Sequence, residues 1–203
     1  MVEAMPDSST YDYDHQTALI VVDVQNDFAD PGGSLYVSGG ELAIAFINEQ
    51  IASAAHTGAL VVYTKDWHPE STPHFEKDGG IWPVHCVADS WGGEFHPGLS
   101  VIGPLVKKGT GGEDGYSGFT VRDPESGEEH ATALAEILGE RHIVRAAVLG
   151  LATDYCVKST ALDAARLGLE TTVLADGVRA VNLAPGDGAR AIAEMAGAGV
   201  TIV

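Results

Sequence analysis

Positive charge is scarce in this chain of 203 residues. It has 11 Lys and Arg residues against 29 Asp and Glu residues, which gives a formal net charge of −18 at pH 7. Such a surface repels phosphate backbones and anionic lipid headgroups, so we expect neither nucleic acids nor membranes as partners. The acidity favours solubility and says little about a substrate.

Cysteine and long apolar runs are scarce as well. Cys86 and Cys156 are the only two cysteines, and no apolar run is long enough to predict a transmembrane helix. The first 16 residues are polar and lack the basic and apolar regions of a signal peptide. We therefore expect a flexible tail at 1–16, one domain at 17–203, free thiols and a cytoplasmic location.

Hydrophobic residues make up 45% of the chain, and they form an alternation of strand-like and helix-like segments. Strands are predicted at 18–24, 59–67, 143–152, 170–178 and 200–203, and helices at 39–57, 130–140, 153–168 and 185–199. This order predicts an α/β fold with a doubly wound, mostly parallel sheet and helices on both faces. Residues 68–126 show little periodicity, as functional loops often do.

Three reactive side chains fall at the ends of predicted strands: Asp23, Asp66 and Cys156. Ligands of such sheets bind beyond the carboxyl ends of the strands, so these residues are expected to meet at one edge. Cys156 lies in the first turn of a helix, with Thr153 or Asp154 near the N-cap. There the helix dipole favours a thiolate, and free N–H groups could hold an oxyanion.

Each of these residues has a structural alternative. Cys156 could be a small packing residue, the interpretation we give to Cys86, and position alone does not decide. Asp23 could accept a proton from a thiol or simply cap a turn. A lysine in VKKGTGG could hold a thiolate, although a solvated lysine is the commoner case, and spacing does not distinguish Lys107 from Lys108.

A candidate metal site combines Asp66 and His68, which project to the same side of an extended segment, with His74 and His85. Imidazole and carboxylate ligands suit Zn²⁺, Fe²⁺ or Mn²⁺. The alternative for each histidine is a hydrogen-bonded loop residue. Three aromatic side chains in irregular segments could stack on a flat ligand or simply pack in the core: Phe28, Trp82 and Tyr116.

Five motifs in one order carry a family resemblance: DVQNDF, TKDWHP, WPVHC, KKG followed by YSGF, and GLATDYCV. Together they resemble the nicotinamidase/pyrazinamidase branch of the isochorismatase-like cysteine hydrolases, from about Ala18 to Val203. The resemblance implies hydrolysis of nicotinamide, and of pyrazinamide, to the acid and ammonia through a cysteine thioester. It also implies a role in NAD salvage.

The resemblance assigns roles to individual residues. Cys156 would be the nucleophile, Asp23 its proton acceptor, and Lys108 the third member of the triad, because a Lys-Gly pair precedes YSGF. A cis peptide is implied between Leu151 and Ala152. The N–H groups of Ala152 and Cys156 would form the oxyanion hole.

The resemblance also implies a ring-binding site with one divalent metal ion, zinc first and iron or manganese as alternatives. Asp66, His68 and His85 match the family's metal ligands, and His74 lies where some members supply a further histidine. Phe28, Trp82 and Tyr116 match the ring-binding aromatic residues. The loop GTGGED before Tyr116 is longer and more acidic than the family pattern. The sequence is compatible with a homo-oligomer.

Four other functions would use the same residues differently. An isochorismatase-type enzyme and an amidohydrolase for carbamoyl amines are disfavoured by the candidate metal cluster, and the second also by the aromatic residues. A metal-hydroxide hydrolase would leave Cys156 a structural role. A non-catalytic binding protein would not need every motif intact.

Overall fold

The computed structural model describes residues 11–203. This part of the chain forms eight strands: β1 (Thr17–Val22), β2 (Leu60–Asp66), β3 (Leu105–Lys108), β4 (Thr120–Arg122), β5 (Glu129–Ala131), β6 (Arg145–Leu151), β7 (Glu170–Arg179) and β8 (Thr201–Ile202). Six of them build a sheet in the order β3-β2-β1-β6-β7-β8, and every pairing in it is parallel. β4 and β5 form a separate antiparallel hairpin.

The helices are α1 (Asn26–Ala29), α2 (Gly40–Thr57), α3 (Leu134–Glu140), α4 (Lys158–Arg166) and α5 (Asp187–Gly197). α2 packs against β7, β1 and β2, whereas α4 packs against β7 and α5. With helices covering the sheet, β1 and β2 are buried along their whole length, as their Val- and Ile-rich sequences predict. The predicted doubly wound α/β fold is confirmed. Within residues 11–203, no helix is long and apolar enough to cross a membrane.

Three local predictions differ from the structure. β3 was not predicted, because an edge strand with alternating exposure lacks the continuous apolar run of the inner strands. Residues 129–131 belong to the hairpin, so the helix predicted from 130 begins at Leu134. The helix predicted at 153–168 starts with a π-helical turn, Thr153–Val157, before α4.

The structure describes only residues 11–16 of the predicted tail at 1–16. Residues 1–10 lie outside the described part of the chain. Residues 11–16 contact the domain: Tyr13 is buried and its hydroxyl donates to Gln50 at 3.0 Å, and the Gln16 carbonyl accepts from the N–H of Val144 at 3.0 Å. The expectation of a flexible tail is therefore wrong for residues 11–16, because the buried Tyr13 side chain anchors them.

Candidate active site

Cys156 lies in the π-helical turn that follows β6, at the carboxyl edge of the sheet. The peptide between Leu151 and Ala152 is cis, as the resemblance implied. Ala152 occupies the N-cap without a side-chain cap, so Thr153 and Asp154 lie next to the N-cap, as predicted. The Asp154 carboxylate instead accepts N–H groups of the segment before α5, from Val181 at 2.9 Å and from Asn182 at 2.8 Å.

The structure brings Cys156, Asp23 and Lys108 together from three strand ends. The Lys108 ammonium donates to Asp23 Oδ2 at 2.8 Å and lies 3.7 Å from Cys156 Sγ. It also pairs with Asp66 Oδ1 at 2.6 Å. One side-chain atom from each of Asp23, Asp66 and Cys156 lies within 4.8 Å of the others. A buried cation therefore sits between two carboxylates and a thiol.

The pleat of β3 decides which lysine enters this cluster. Side chains alternate along the strand, and Lys108 is 1% exposed while Lys107 faces outward. Lys107 lies over the Trp67 ring at 3.7 Å. β3 pairs with β2 so that Lys108 stands opposite Asp66. This register places the lysine beside the acids.

The charges in the cluster shift the pKa values of its members in different directions. Burial raises the pKa of Asp23, and Lys108 only partly opposes it. Burial also works against ionisation of Asp66, but Lys108 and the nearby His68 outweigh it and hold the Asp66 pKa well below its usual range. Burial would lower the Lys108 pKa, yet the two carboxylates raise it well above normal. The cluster thus contains an ionised Lys108–Asp66 pair and a more basic Asp23 carboxyl.

The Cys156 thiol behaves differently from the sequence-based expectation. Burial raises its pKa well above the usual value, and Asp23 adds to that rise while Lys108 opposes it. A helix start alone was expected to favour the thiolate. Because burial and two acids dominate, the resting thiol carries its proton, and attack requires a nearby base.

Three histidines converge beside this cluster. One ring nitrogen from each of His68, His74 and His85 lies within 4.8 Å of the others, and all three side chains are buried. His85 Nδ1 is 2.7 Å from the Pro83 carbonyl, and His74 Nδ1 is 2.9 Å from Asp114 Oδ1. Asp66 Oδ2 lies 3.8 Å from His68 Nε2, which is too long for a hydrogen bond.

These residues fit a divalent metal ion. Both ring nitrogens of His68 are buried and lack a hydrogen-bond partner among the described residues 11–203, a costly state unless a ligand fills it. The carbonyl at His85 Nδ1 leaves Nε2 free to bind, and burial lowers the His85 pKa to about 4, which keeps the ring neutral as a ligand. His68, His74 and His85, with Asp66 beside them, could hold the ion.

A small pocket opens between the histidines and Cys156. Its walls are Phe28, Leu35, Val37, Asp66, His74, Trp82, His85, Tyr116, Ala152, Tyr155, Cys156 and Val181. The three predicted aromatic residues are all in this wall. The Trp82 indole donates to the Tyr116 hydroxyl at 3.1 Å, and burial raises the Tyr116 pKa to about 12, so the hydroxyl stays protonated near neutral pH. A flat ring with a polar substituent suits such a space.

Several residues of the site were missed by sequence reasoning. Tyr155 packs edge-on against Trp82, with ring centroids 4.9 Å apart, and its position next to Cys156 was the available signal. Thr64 donates to Asp23 Oδ1 at 2.6 Å. The Gln25 amide holds the end of β2 through the Asp66 backbone, with bonds of 2.7 and 2.8 Å. Polar residues within or after buried strands could have been flagged for such contacts.

Fold and site together define an α/β protein with a cysteine, a lysine and an aspartate at the carboxyl edge of a parallel sheet, beside a histidine cluster. The model of the isochorismatase domain matches residues 17–203. The chain belongs to the isochorismatase-domain family.

Relatives of this chain include a nicotinamidase and a pyrazinamidase. The nicotinamidase of Escherichia coli (strain K12) is 37% identical, and the match covers 91% of this chain and 93% of that protein. The pyrazinamidase of Pyrococcus horikoshii, solved in complex with zinc, is 42% identical with a TM-score of 0.82, covering 93% of this chain and 98% of that one. PnC1 from L. infantum, in complex with nicotinate, is 37% identical with a TM-score of 0.83, covering 93% and 92%.

Proposed function

We propose that this chain is a nicotinamidase, which hydrolyses nicotinamide to nicotinate and ammonia and also accepts pyrazinamide. The observation that carries the proposal is the Lys108 ammonium, which lies 2.8 Å from Asp23 Oδ2 and 3.7 Å from Cys156 Sγ. Cys156 in turn lines the aromatic-walled pocket. The similarity to a nicotinamidase and a pyrazinamidase supports the choice of substrate.

In the first half of the reaction, Cys156 Sγ attacks the carboxamide carbon while Asp23 takes the thiol proton. The raised pKa of Asp23 makes it a better base, and the raised pKa of Cys156 means that the proton must be removed during attack. Lys108 keeps its charge and holds the Asp23 carboxylate beside the sulfur. The negative oxygen of the tetrahedral intermediate is assigned to the N–H groups of Ala152 and Cys156, and one such donor is worth about 2.7–4 kcal/mol.

In the second half, the Asp23 proton passes to the leaving nitrogen, the C–N bond breaks and ammonia departs, which leaves a thioester on Cys156. A water molecule gives a proton to Asp23 and attacks the thioester carbon. The C–S bond then breaks, the sulfur regains its proton, and nicotinate leaves. The same acid therefore serves both stages of a covalent mechanism.

The ring is recognised by the cavity wall. Phe28, Trp82 and Tyr116 provide apolar and edge contacts for a flat heteroaromatic ring. Asp66, His68 and His85, together with His74, would hold zinc, or iron or manganese instead. When bound, such an ion supplies a Lewis-acid position for the ring nitrogen and so orients the ring. Benzamide, which has no ring nitrogen, should therefore bind poorly, while pyrazinamide should be accepted.

The test is ammonia release from nicotinamide by the purified protein and by Cys156→Ala. Cys86→Ala is the matched control, because Cys86 is the other buried cysteine and no catalytic role is assigned to it. We expect Cys156→Ala to abolish turnover with metal content retained, and Cys86→Ala to keep it. Near-normal turnover by Cys156→Ala would instead favour attack by a metal-bound hydroxide.

The finer biological statements belong to the same proposal. We place the enzyme in the reducing cytoplasm, where it would serve NAD salvage, because both cysteines are unpaired in the described residues. The acidic chain is proposed to act on its small substrate without nucleic-acid or membrane partners, either alone or as a homo-oligomer.

A further inference from the structure

The Asp114 carboxylate contacts the histidine cluster, and the proposed chemistry does not use it. Its Oδ1 lies 2.9 Å from His74 Nδ1, and the His74 ring stacks on His68 with centroids 4.9 Å apart. A carboxylate only accepts hydrogen bonds, so this contact places the neutral ring's proton on Nδ1. His74 Nε2 then keeps its lone pair, which is the form that binds a metal ion.

The Asp114 carboxylate is itself held in place. The N–H of Gly115 donates to Oδ1 at 2.8 Å, and the Arg122 guanidinium lies 3.5 Å from Oδ2. The backbones of Asp114 and Arg122 exchange both of their hydrogen bonds, because these residues form an isolated antiparallel bridge. Arg122 ends β4, so the small hairpin carries the segment that bears Asp114.

We propose that Asp114 is a positioning residue that fixes the orientation and tautomer of His74 as a metal ligand, with the β4–β5 hairpin as its support. This inference rests on the metal-binding part of the proposed function. The three histidines differ in this respect: His85 is oriented by a backbone carbonyl, His74 by a side chain, and His68 by neither. A substitution of Asp114 can therefore change the orientation of His74 without removing a partner of His68 or His85.

The test compares zinc affinity of the full-length, metal-stripped protein with that of Asp114→Asn and Asp114→Ala, by competition with a chromophoric chelator. Loss of a partner that orients a metal-bound histidine typically weakens metal binding about 10- to 100-fold, and we expect that loss for Asp114→Ala. The Asn carbonyl can still accept a hydrogen bond from His74 Nδ1, so Asp114→Asn should keep most of the wild-type zinc affinity. The visible spectrum of the cobalt-loaded protein should change in the Ala variant and stay near wild type in the Asn variant.

Glu113→Gln is the matched control, since it removes the same charge from the adjacent residue, whose carboxylate bonds to Gly111 rather than to a histidine. We expect its zinc affinity to equal that of the wild type. Equal affinity of Asp114→Ala and wild type would overturn the proposal. So would a loss of about 10-fold or more that Asp114→Asn and Glu113→Gln share, because it would indicate a general charge effect.

Urea unfolding of the metal-free proteins shows whether each variant folds. If Asp114→Ala does not fold, the zinc affinity and the cobalt spectrum of Asp114→Asn decide. A zinc affinity within about 10-fold of the wild type, together with a wild-type cobalt spectrum, supports the proposal. A larger loss of zinc affinity overturns it. Wild-type protein that binds no zinc overturns it as well. Absence of ammonia release from nicotinamide would refute the proposed activity, but it leaves the comparison of zinc affinities intact.

Discussion

Replacing Lys108 by Met tests the buried ion network directly. The ammonium is 1% exposed and lies 2.8 Å from an Asp23 oxygen and 2.6 Å from an Asp66 oxygen. At an effective dielectric constant of about 20, each contact contributes about 6 kcal/mol of Coulomb attraction before desolvation. Desolvation offsets much of this, and removal of one partner from a buried network typically costs about 3–5 kcal/mol. We expect that loss in the free energy of unfolding of Lys108→Met.

Lys107→Met is the matched control, because it removes the same side chain from the neighbouring, outward-facing position. Its visible contact is with the Trp67 ring at 3.7 Å, worth about 0.5–1 kcal/mol. The assay is urea unfolding of chelator-treated proteins, supported by thermal unfolding, where the Lys108 variant should lose about 6–20 °C. Losses below about 1 kcal/mol in both variants would refute the buried network.

The pH dependence gives the same prediction a second readout. The depressed pKa of Asp66 in the wild type means that its contribution to stability is present above the unfolded pKa and is lost as the pH falls through the folded pKa. Without Lys108, the Asp66 pKa should rise above the unfolded value of about 3.9, and the Asp23 pKa, already raised in the wild type, should rise further. The stability of the variant then falls as the pH rises, so the difference from wild type should be larger at pH 7 than at pH 4.5. A difference that does not change with pH would contradict this account.

Two further predictions concern the metal site. Chelation should raise KM for nicotinamide more than it lowers kcat, because the ion is proposed to orient the ring. The measurement is steady-state kinetics of the chelated protein before and after zinc is restored. An effect on kcat alone would contradict the prediction. Gly109→Ala should weaken zinc binding, because its Cβ would stand 2.6 Å from His68 Nδ1. Gly127→Ala has a similar φ, +74° against +73°, and no atom within 4 Å of the added Cβ, so it should retain wild-type zinc affinity in the same titration.

Hydrophobic periodicity predicted most of the sheet because that signal is local. The inner strands carry continuous apolar runs, and a reactive residue that follows such a run lies at the carboxyl edge, as Asp23 and Cys156 do. The five motifs, in their order along the chain, indicated the family and favoured Lys108 over Lys107. β3 and the hairpin escaped this approach, because short edge elements with exposed side chains have little periodic apolar content.

The amino-acid sequence by itself determined the order of strands and helices, the acids and the cysteine at strand ends, and the histidine-rich loop. Only the tertiary structure decided that Lys108 rather than Lys107 faces inward, that His74 joins His68 and His85, and that Asp114 bonds to His74. It also decided that burial keeps the Cys156 thiol protonated. Distances and burial depend on groups far apart in the chain, whereas a local pattern records only what each segment could do.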